Sequence, residues 1–336
     1  MAVGWGIIGA GNHANLIMAP AIKRAQSAPI VAVCSRDAAR AEVFAREHGV
    51  ARAYTSYEEL LRDPEVSVVY VATPNALHAE QACQAAQAGK HVLCEKPMAL
   101  TVADAEGMLR ACESAGVKLG VTLQNRFHPA HQEMRRRIRQ GEAGELLLLL
   151  GEYSRALLRP VSAWKTDPSL AGGGAVMGLA THVLDLFRFL TGQEVEEVRA
   201  QADSPGWGQP VDDLVLAALK FSGRLRASMV SGYYVPRALN SVVVYGTRAR
   251  LVGLGTVGMD LRGSLLVEGE EGSIRQEFAD EDAALGNYVR MVQQFVRAVE
   301  EGTGPEASGE DGLELVRIVD AVRESARTGR AVSLRR

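Results

Sequence analysis

Gly9, Gly11 and Ala14 stand at the spacing G-x-G-x-x-G/A, directly after the apolar run Val3–Ile8. That spacing suits a dinucleotide. The first glycine permits a tight turn, the second lets the backbone approach a pyrophosphate, and the small third residue lets a helix lie against the strand. Asn12 and His13 open that helix, whose free N–H groups and positive dipole end suit phosphates. A second chemical clue is Ser35-Arg36-Asp37, at the end of another apolar run. An acidic residue there accepts from the 2′-hydroxyl of an adenine ribose, whereas Ser35 with Arg36 accommodates a 2′-phosphate through charge-assisted hydrogen bonds. The expectation is NADP in preference to NAD. Asp37 is either the alternative ribose contact or the cap of the next helix. Two further segments, Ala72–His78 and Cys94–Pro97, fall at carboxyl ends of strand candidates, where ligands of parallel sheets bind. Taken alone, the first is a good turn and helix start and the second an ordinary loop.

The elements that must position these groups alternate in type. Strand candidates at Ile30–Cys34, Val66–Val71, His91–Cys94 and Val117–Val121 are separated by helical stretches at Ala38–His48, Ser56–Arg62, Ala76–Ala88 and Val102–Ala115. Gly49, Gly89 and Gly116 sit where a left-handed helix cap is wanted. Pro20 predicts a kink or restart of the first helix near Ala19. Such alternation implies a parallel sheet with right-handed crossovers.

Beyond about residue 123 the pattern changes. A helix at Pro129–Gln140 is followed by a strand at Glu145–Tyr153, an irregular stretch to Gly174 and a helix at Ala175–Leu190. Strand candidates at Val195–Ala202, Leu214–Phe221, Arg224–Ser231, Asn240–Tyr245, Ala249–Leu254 and Ser264–Val267 then follow without helices between them, as in a mostly antiparallel sheet. Helices at Ala283–Glu300 and Asp311–Thr328 close the chain. The expected architecture is α/β: a Rossmann dinucleotide-binding domain over 1–123, then an α+β domain over 124–336 with a large, open, mostly antiparallel sheet for substrate binding and oligomerisation.

Composition narrows the partners. A net charge of −3 over 336 residues gives no case for nucleic acid or an anionic membrane. The basic run Arg135-Arg136-Arg137 with Arg139 reads as a solvated helix face. The cysteines 34, 83, 94 and 112 have neither C-x-x-C spacing nor histidine partners, so no metal site and no disulfide framework is expected. No leader segment and no run long enough to span a bilayer is evident, which makes cytoplasmic the default expectation.

The ordered set of motifs resembles the glucose–fructose oxidoreductase / inositol dehydrogenase (Gfo/Idh/MocA) family. It comprises Gly9–Ala14, Ala72–His78, Glu95-Lys96-Pro97, Asn125-Arg126-Phe127, Gly172-Gly173-Gly174 leading to His182, and the ending Ser325–Arg330. The resemblance implies NAD(P)-linked chemistry on sugars, polyols or related compounds. It implies cofactor contacts from Gly9, Gly11, Asn12, His13, Ser35, Arg36, Thr73, Pro74, Asn75, His78, Glu95, Lys96, Asn125, Arg126, Trp164 and Lys165. Lys96 and His182 become the catalytic candidates. By similarity the Lys96 ammonium hydrogen-bonds the reacting oxygen and favours an alkoxide-like transition state, with Pro97 holding its turn. The His182 imidazole exchanges the hydroxyl proton. Lys96, Arg126, Asp185 and His182 are the expected substrate contacts, Asp185 as a partner that could orient His182.

One position departs from the pattern. Many dehydrogenases of the family carry Asp four residues before the histidine, and Gly178 stands there. The change removes a carboxylate one helical turn from His182 and is expected to leave space. An NAD(P)-dependent oxidoreductase acting on CH–OH groups is the leading expectation. A redox-neutral, NAD-dependent glycoside cleavage and a non-catalytic NAD(P)-binding sensor are the alternatives. The open sheet is expected to need a partner copy, giving a homodimer or homotetramer.

Overall fold

The computed structural model describes residues 3–26, 28–157, 162–259, 261–270, 272–278 and 285–334. The chain divides into two compact units, Met1–Thr122 with Tyr288–Leu313, and Leu123–Asn287 with Glu314–Arg336. A single cut after residue 123 therefore misses a returning segment.

The first unit is a six-stranded parallel sheet of β1 (Trp5–Ile8), β2 (Ile30–Cys34), β3 (Arg52–Tyr54), β4 (Val68–Val71), β5 (His91–Cys94) and β6 (Leu119–Val121), in the order β3-β2-β1-β4-β5-β6. The chain order reverses beside β1, the topological switch at which such sheets bind ligands. β1 and β4 are buried along their whole length, as strands covered on both faces must be. The helices between them are punctuated by their own sequences. Asp37, Ser56 and Thr101 cap three helix starts through side-chain oxygens, and Gly49 ends the first of these helices at φ 64°. The first helix is π-wound over Ala14–Met18 and α-helical from Ala19 to Ala25, so the restart falls where Pro20 required it. β3 was not foreseen, because three residues carry too little periodicity. Tyr288–Leu313 belongs to this unit because Phe295 packs on Trp5, with ring centroids 6.1 Å apart. Phe295 also fills the space beside Gly120, where a Cβ would lie 2.7 Å from its ring.

The second unit is built on a nine-stranded sheet. Its strands are β7 (Leu146–Glu152), β8 (Val195–Asp203), β9 (Leu214–Phe221), β10 (Arg226–Gly232), β11 (Val242–Gly246), β12 (Ala249–Leu254), β13 (Gly263–Gly269), β14 (Gly272–Phe278) and β15 (Val332–Ser333). The order is β14-β13-β12-β11-β7-β10-β9-β8-β15. β7 and β10 pair in parallel and the other neighbours are antiparallel. One cross-strand row, Val198, Leu219, Ala227, Leu149, Val244 and Leu251, is buried. The helix through Val176–Thr191, π-wound to Ala180, lies against this face. It comes close because β7 carries Gly151, where a Cβ would stand 2.3 Å from Val183 and 2.8 Å from Phe187.

Counted from Pro168 to Thr191, that helical stretch is long and apolar enough to cross a bilayer, which corrects the expectation that no such run exists. Within that stretch, 83% of its most apolar window is buried inside the protein, so its hydrophobicity is that of a core helix. β14 and β15 were also unforeseen. Of the expected closing helix, Ala283 and Ala284 lie outside the described residues, and the helix runs over Gly286–Glu301.

Candidate active site

In the first unit the register lines up the strand ends. Ile8 pairs with Cys34 and Val71, Val71 with Cys94, and Cys94 with Val121. Gly9, Ser35, Ala72, Glu95 and Thr122 therefore leave the sheet side by side at its carboxyl edge. Gly9 has φ 105°, and a Cβ on it would lie 2.7 Å from the Ala72 carbonyl. Only glycine serves there. Gly11 differs: nothing lies within 4 Å of the position a Cβ would take. Packing does not call for glycine at 11, so the open approach to the helix start fits a phosphate group brought close to the backbone. Asp37 is committed to its helix, accepting from the Arg40 N–H at 3.2 Å. Arg36 is exposed, and the Ser35 hydroxyl accepts from the Asp37 N–H at 3.3 Å.

Lys96 sits on a turn fixed from three sides. Its own N–H donates to the Thr122 hydroxyl at 3.3 Å. The next carbonyl, of Pro97, faces His78 Nδ1 at 2.9 Å, and the Lys96–Pro97 peptide is cis. The preceding residue, Glu95, is held by the Tyr70 hydroxyl at 2.6 Å and by His13 Nε2 at 3.1 Å. Burial alone would push the Glu95 carboxyl up, but His13, Tyr70 and Lys96 outweigh it and bring it down to about 2. Burial and the Glu95 charge push the Tyr70 phenol well up. Glu95 is thus an ionised anchor that ties the turn of the glycine loop, through His13, to the turn carrying Lys96.

His78 corrects an expectation. It is fully buried, and its Nε2 faces the Thr73 carbonyl at 2.9 Å while Nδ1 faces that of Pro97. It holds two loops together and is not exposed to a dinucleotide. Burial lowers its pKa, against the pull of the two carbonyls. Asn75 is also buried, and the Thr73 hydroxyl donates to Gln81 at 2.6 Å.

In the second unit, the turn before the His182 helix is gripped by a residue nearly forty positions away. The Asp212 carboxylate accepts from the N–H groups of Gly174 at 2.9 Å and Val176 at 2.7 Å, and its carbonyl accepts from Ala175 at 2.8 Å. A Cβ on Gly174 would lie 1.8 Å from that carbonyl oxygen. Burial pushes the Asp212 carboxyl up, and the two N–H donors oppose it. His182 is 6% exposed, with the Tyr153 ring edge-on to it at 5.2 Å.

Arg126 and Asp185, expected at the substrate, are buried and bound to each other. Arg126 Nε lies 3.0 Å from both carboxylate oxygens and Nη2 lies 2.5 Å from one of them. The pair anchors the start of this unit to its central helix. Asn125 is buried, and its Oδ1 accepts from the Gly258 N–H at 3.0 Å. Its Nδ2 has no hydrogen-bond partner among the described residues. Lys165 lies 5.7 Å from the Trp164 ring centroid, and Asp167 caps the next short helix through the Ser169 N–H at 2.9 Å.

The space expected at Gly178 is filled. A Cβ there would stand 1.9 Å from the Tyr233 hydroxyl oxygen. Tyr233, Asp212, Tyr153 and Tyr70 escaped the reading of the sequence, since none belongs to a motif. Only the alternation of β10, which makes the residues just beyond it candidates for the covered face, pointed faintly to Tyr233. Among the described residues no group of three histidine, cysteine or acidic side chains could hold a metal ion. The cysteines are free thiols, and burial pushes Cys34 up to about 11 and Cys112 up to about 12. The basic helix face is largely paired, Arg136 and Arg137 both meeting Glu133 at 2.7 Å.

Known proteins share this fold. Residues 3–123 match an oxidoreductase family model with an NAD-binding Rossmann fold, and residues 131–252 match the GFO/IDH/MocA C-terminal domain. The chain is 34% identical to a 1,5-anhydro-D-fructose reductase of Ensifer adhaerens, over 98% of each chain. It is 32% identical to D-xylose 1-dehydrogenase (NADP(+)) 2 of Haloferax volcanii, over 98% of this chain and 99% of that one. Among solved structures it resembles aldose-aldose oxidoreductase from Caulobacter crescentus complexed with glycerol, with a TM-score of 0.90, 28% identity, and coverage of 99% and 100%. It also resembles levoglucosan dehydrogenase in complex with NADH and levoglucosan, with a TM-score of 0.89, 25% identity and the same coverage.

Proposed function

The chain belongs to the Gfo/Idh/MocA family of NAD(P)-binding oxidoreductases, and from that premise we propose that it oxidises or reduces a sugar, cyclitol or similar hydroxylated compound at a C–OH carbon. The nicotinamide supplies the carbon that accepts or returns the hydride. Lys96 donates a hydrogen bond to the reacting oxygen and stabilises negative charge developing there. His182 takes or gives the hydroxyl proton. Gly9, Gly11, Asn12 and His13 receive the pyrophosphate, and Ser35 with Arg36 receives a 2′-phosphate. The observation that carries this reading is the Lys96 turn, fixed by Thr122, Pro97 and the anchored Glu95 at the carboxyl edge of the parallel sheet. A cationic side chain on so fixed a base is prearranged for one oxygen, which is what transition-state stabilisation requires.

The preference for NADP is supported by Asp37, whose carboxylate caps its helix and so leaves Ser35 and Arg36 as the groups beyond β2. Assembly through the open sheet face is supported by the register. The row Arg199, Ala218, Ser228, Leu150, Val243, Val252, Leu266, Arg275 has an apolar centre between charged ends. A second copy covers such a face, and a monomer in light scattering would contradict it. Free thiols suit a reducing, cytoplasmic setting.

The test is nicotinamide absorbance across sugars and polyols with NAD and NADP in parallel, repeated with Lys96→Ala and His182→Ala. Turnover that both substitutions abolish, with cofactor binding kept, supports the assignment. Turnover that survives Lys96→Ala sinks it.

A further inference from the structure

We propose that the Tyr233 hydroxyl is a substrate-binding group which donates a hydrogen bond from the position a side chain at 178 would otherwise take. The inference rests on the oxidoreductase reading above and deepens it, because it states which kind of substrate oxygen the site receives.

The placement is set by contact. A Cβ on Gly178 would lie 1.9 Å from the Tyr233 oxygen and 3.0 Å from the ring carbon that bears it. The phenol tip therefore abuts the helix backbone one turn before His182. Glycine at 178 is what admits it.

The ring cannot swing aside. It stacks on Trp207, with centroids 4.8 Å apart and planes 14° apart. Its backbone N–H donates to the Asp213 carbonyl at 2.8 Å, and its carbonyl accepts from Leu157 at 2.7 Å. Trp207 is fixed in turn, its indole N–H donating to the Leu157 carbonyl at 2.9 Å. Its backbone N–H donates to the buried Asp213 carboxylate. Two aromatic rings and a buried carboxylate thus aim one hydroxyl.

That hydroxyl is left to serve something else. Tyr233 is 8% exposed, and among the described residues no group hydrogen-bonds its oxygen. A buried polar group is ordinarily paired. Burial, with Tyr153 and Asp212 nearby, pushes the phenol well above its usual pKa, and Arg155 only partly opposes this. Burial thus favours its neutral, hydrogen-bearing form.

The chemical consequence is a sign. A carboxylate only accepts and so selects substrate hydroxyls that donate. A protonated phenol whose environment disfavours the anion donates, and adds no negative charge beside His182. A substrate oxygen that only accepts, in a carbonyl, ring ether or carboxylate, is then served where a carboxylate would repel it.

The test compares two probes of similar size on the cofactor-loaded protein. D-glucono-1,5-lactone carries acceptor-only oxygens, and D-glucitol carries hydroxyls alone. Calorimetric titration of the wild type is expected to favour the lactone. Tyr233→Phe, which keeps the ring and its stacking, is expected to weaken lactone binding by about 3- to 10-fold, the loss of one neutral hydrogen bond, with glucitol binding unchanged. An unchanged thermal midpoint separates this from a structural effect. Equal binding of the lactone by both proteins, equal weakening of both probes, a wild-type preference for glucitol, or binding of neither probe overturns the proposal. The oxidoreductase reading fails separately, through turnover that ignores Lys96→Ala, while the Tyr233 result stands or falls on binding alone.

Discussion

The candidate site residues fall into two sets, one in each unit, and the two sets are built by opposite means. At the carboxyl edge of the parallel sheet, each group follows its strand by a residue or two, and strand register sets the groups in a row. On the helix through Val176–Thr191, the turn before His182 is also held from a distance. It is gripped by Asp212, admitted by Gly151 of β7 and pressed by Tyr233. The first arrangement is a property of adjacent residues. The second is a property of a packed core. Substitutions in the first should alter chemistry with little loss of stability, and in the second the two should fall together.

The largest expected effect lies in the first set. Lys96→Ala should lower kcat by about 100- to 10,000-fold, with cofactor affinity and thermal midpoint close to wild type. His182→Ala on its own should act similarly. If both groups work on one oxygen, the double substitution should be little worse than the single ones, as for catalytic groups acting as a unit. Full multiplication of the two losses would separate them.

Asp212→Ala sharpens the contrast. It leaves the Gly174 and Val176 N–H groups without their acceptor, which should lower unfolding free energy by about 2 to 4 kcal/mol in urea titration and lower activity with it. Unchanged stability with lost activity would make the second set resemble the first. Gly178→Ala should destabilise by about 1 to 3 kcal/mol through its clash with Tyr233, and Tyr233→Ala on the same chain should return part of that.

An acid titration reports on the second unit from another direction. His131 is buried, with Nδ1 2.7 Å from the Asn125 carbonyl and Nε2 2.9 Å from the Thr256 hydroxyl. Burial first, and then neighbouring His128, lowers its pKa from 6.5 to about 3. The unfolded chain binds this proton more readily than the folded one. The contribution to stability is therefore present above about pH 6.5 and shrinks as the pH falls toward 3. Urea midpoints should drop across that window, and less steeply in His131→Gln. Identical slopes would remove His131 from the account.

The smallest effect is expected at Arg36. It is an exposed side chain whose replacement by alanine should raise KM for NADP by about 3- to 10-fold and leave KM for NAD nearly unchanged.

Much of the first unit could be read directly from residue order. Ile30–Cys34, Ala38–His48 and His91–Cys94 have the bounds their patterns indicated, because strand hydrophobicity, Asp37 capping and the Gly49 stop are local signals. The glycine fingerprint belongs to the same class, since Gly9 needs its positive φ for the turn whatever the rest of the chain does. The strands Leu214–Phe221 and Ala249–Leu254 were legible for the same reason, through alternation of period two.

What tertiary structure alone decided is which distant residues meet. Arg126 and Asp185 looked like two site residues, and packing made them one buried ion pair across 59 positions. His78 looked like a ligand contact and became a tie between two loops. The return of Tyr288–Leu313 to the first unit depends on Phe295 finding the space beside Gly120. Gly178 shows the division most sharply. The sequence on its own determined that the carboxylate was absent, but the occupant of the resulting space is Tyr233, 55 positions later along the chain. Local patterns record backbone preference and burial. They carry no record of which side chain arrives from the far side of a core, because that is settled by close packing and by the pairing of polar groups removed from water.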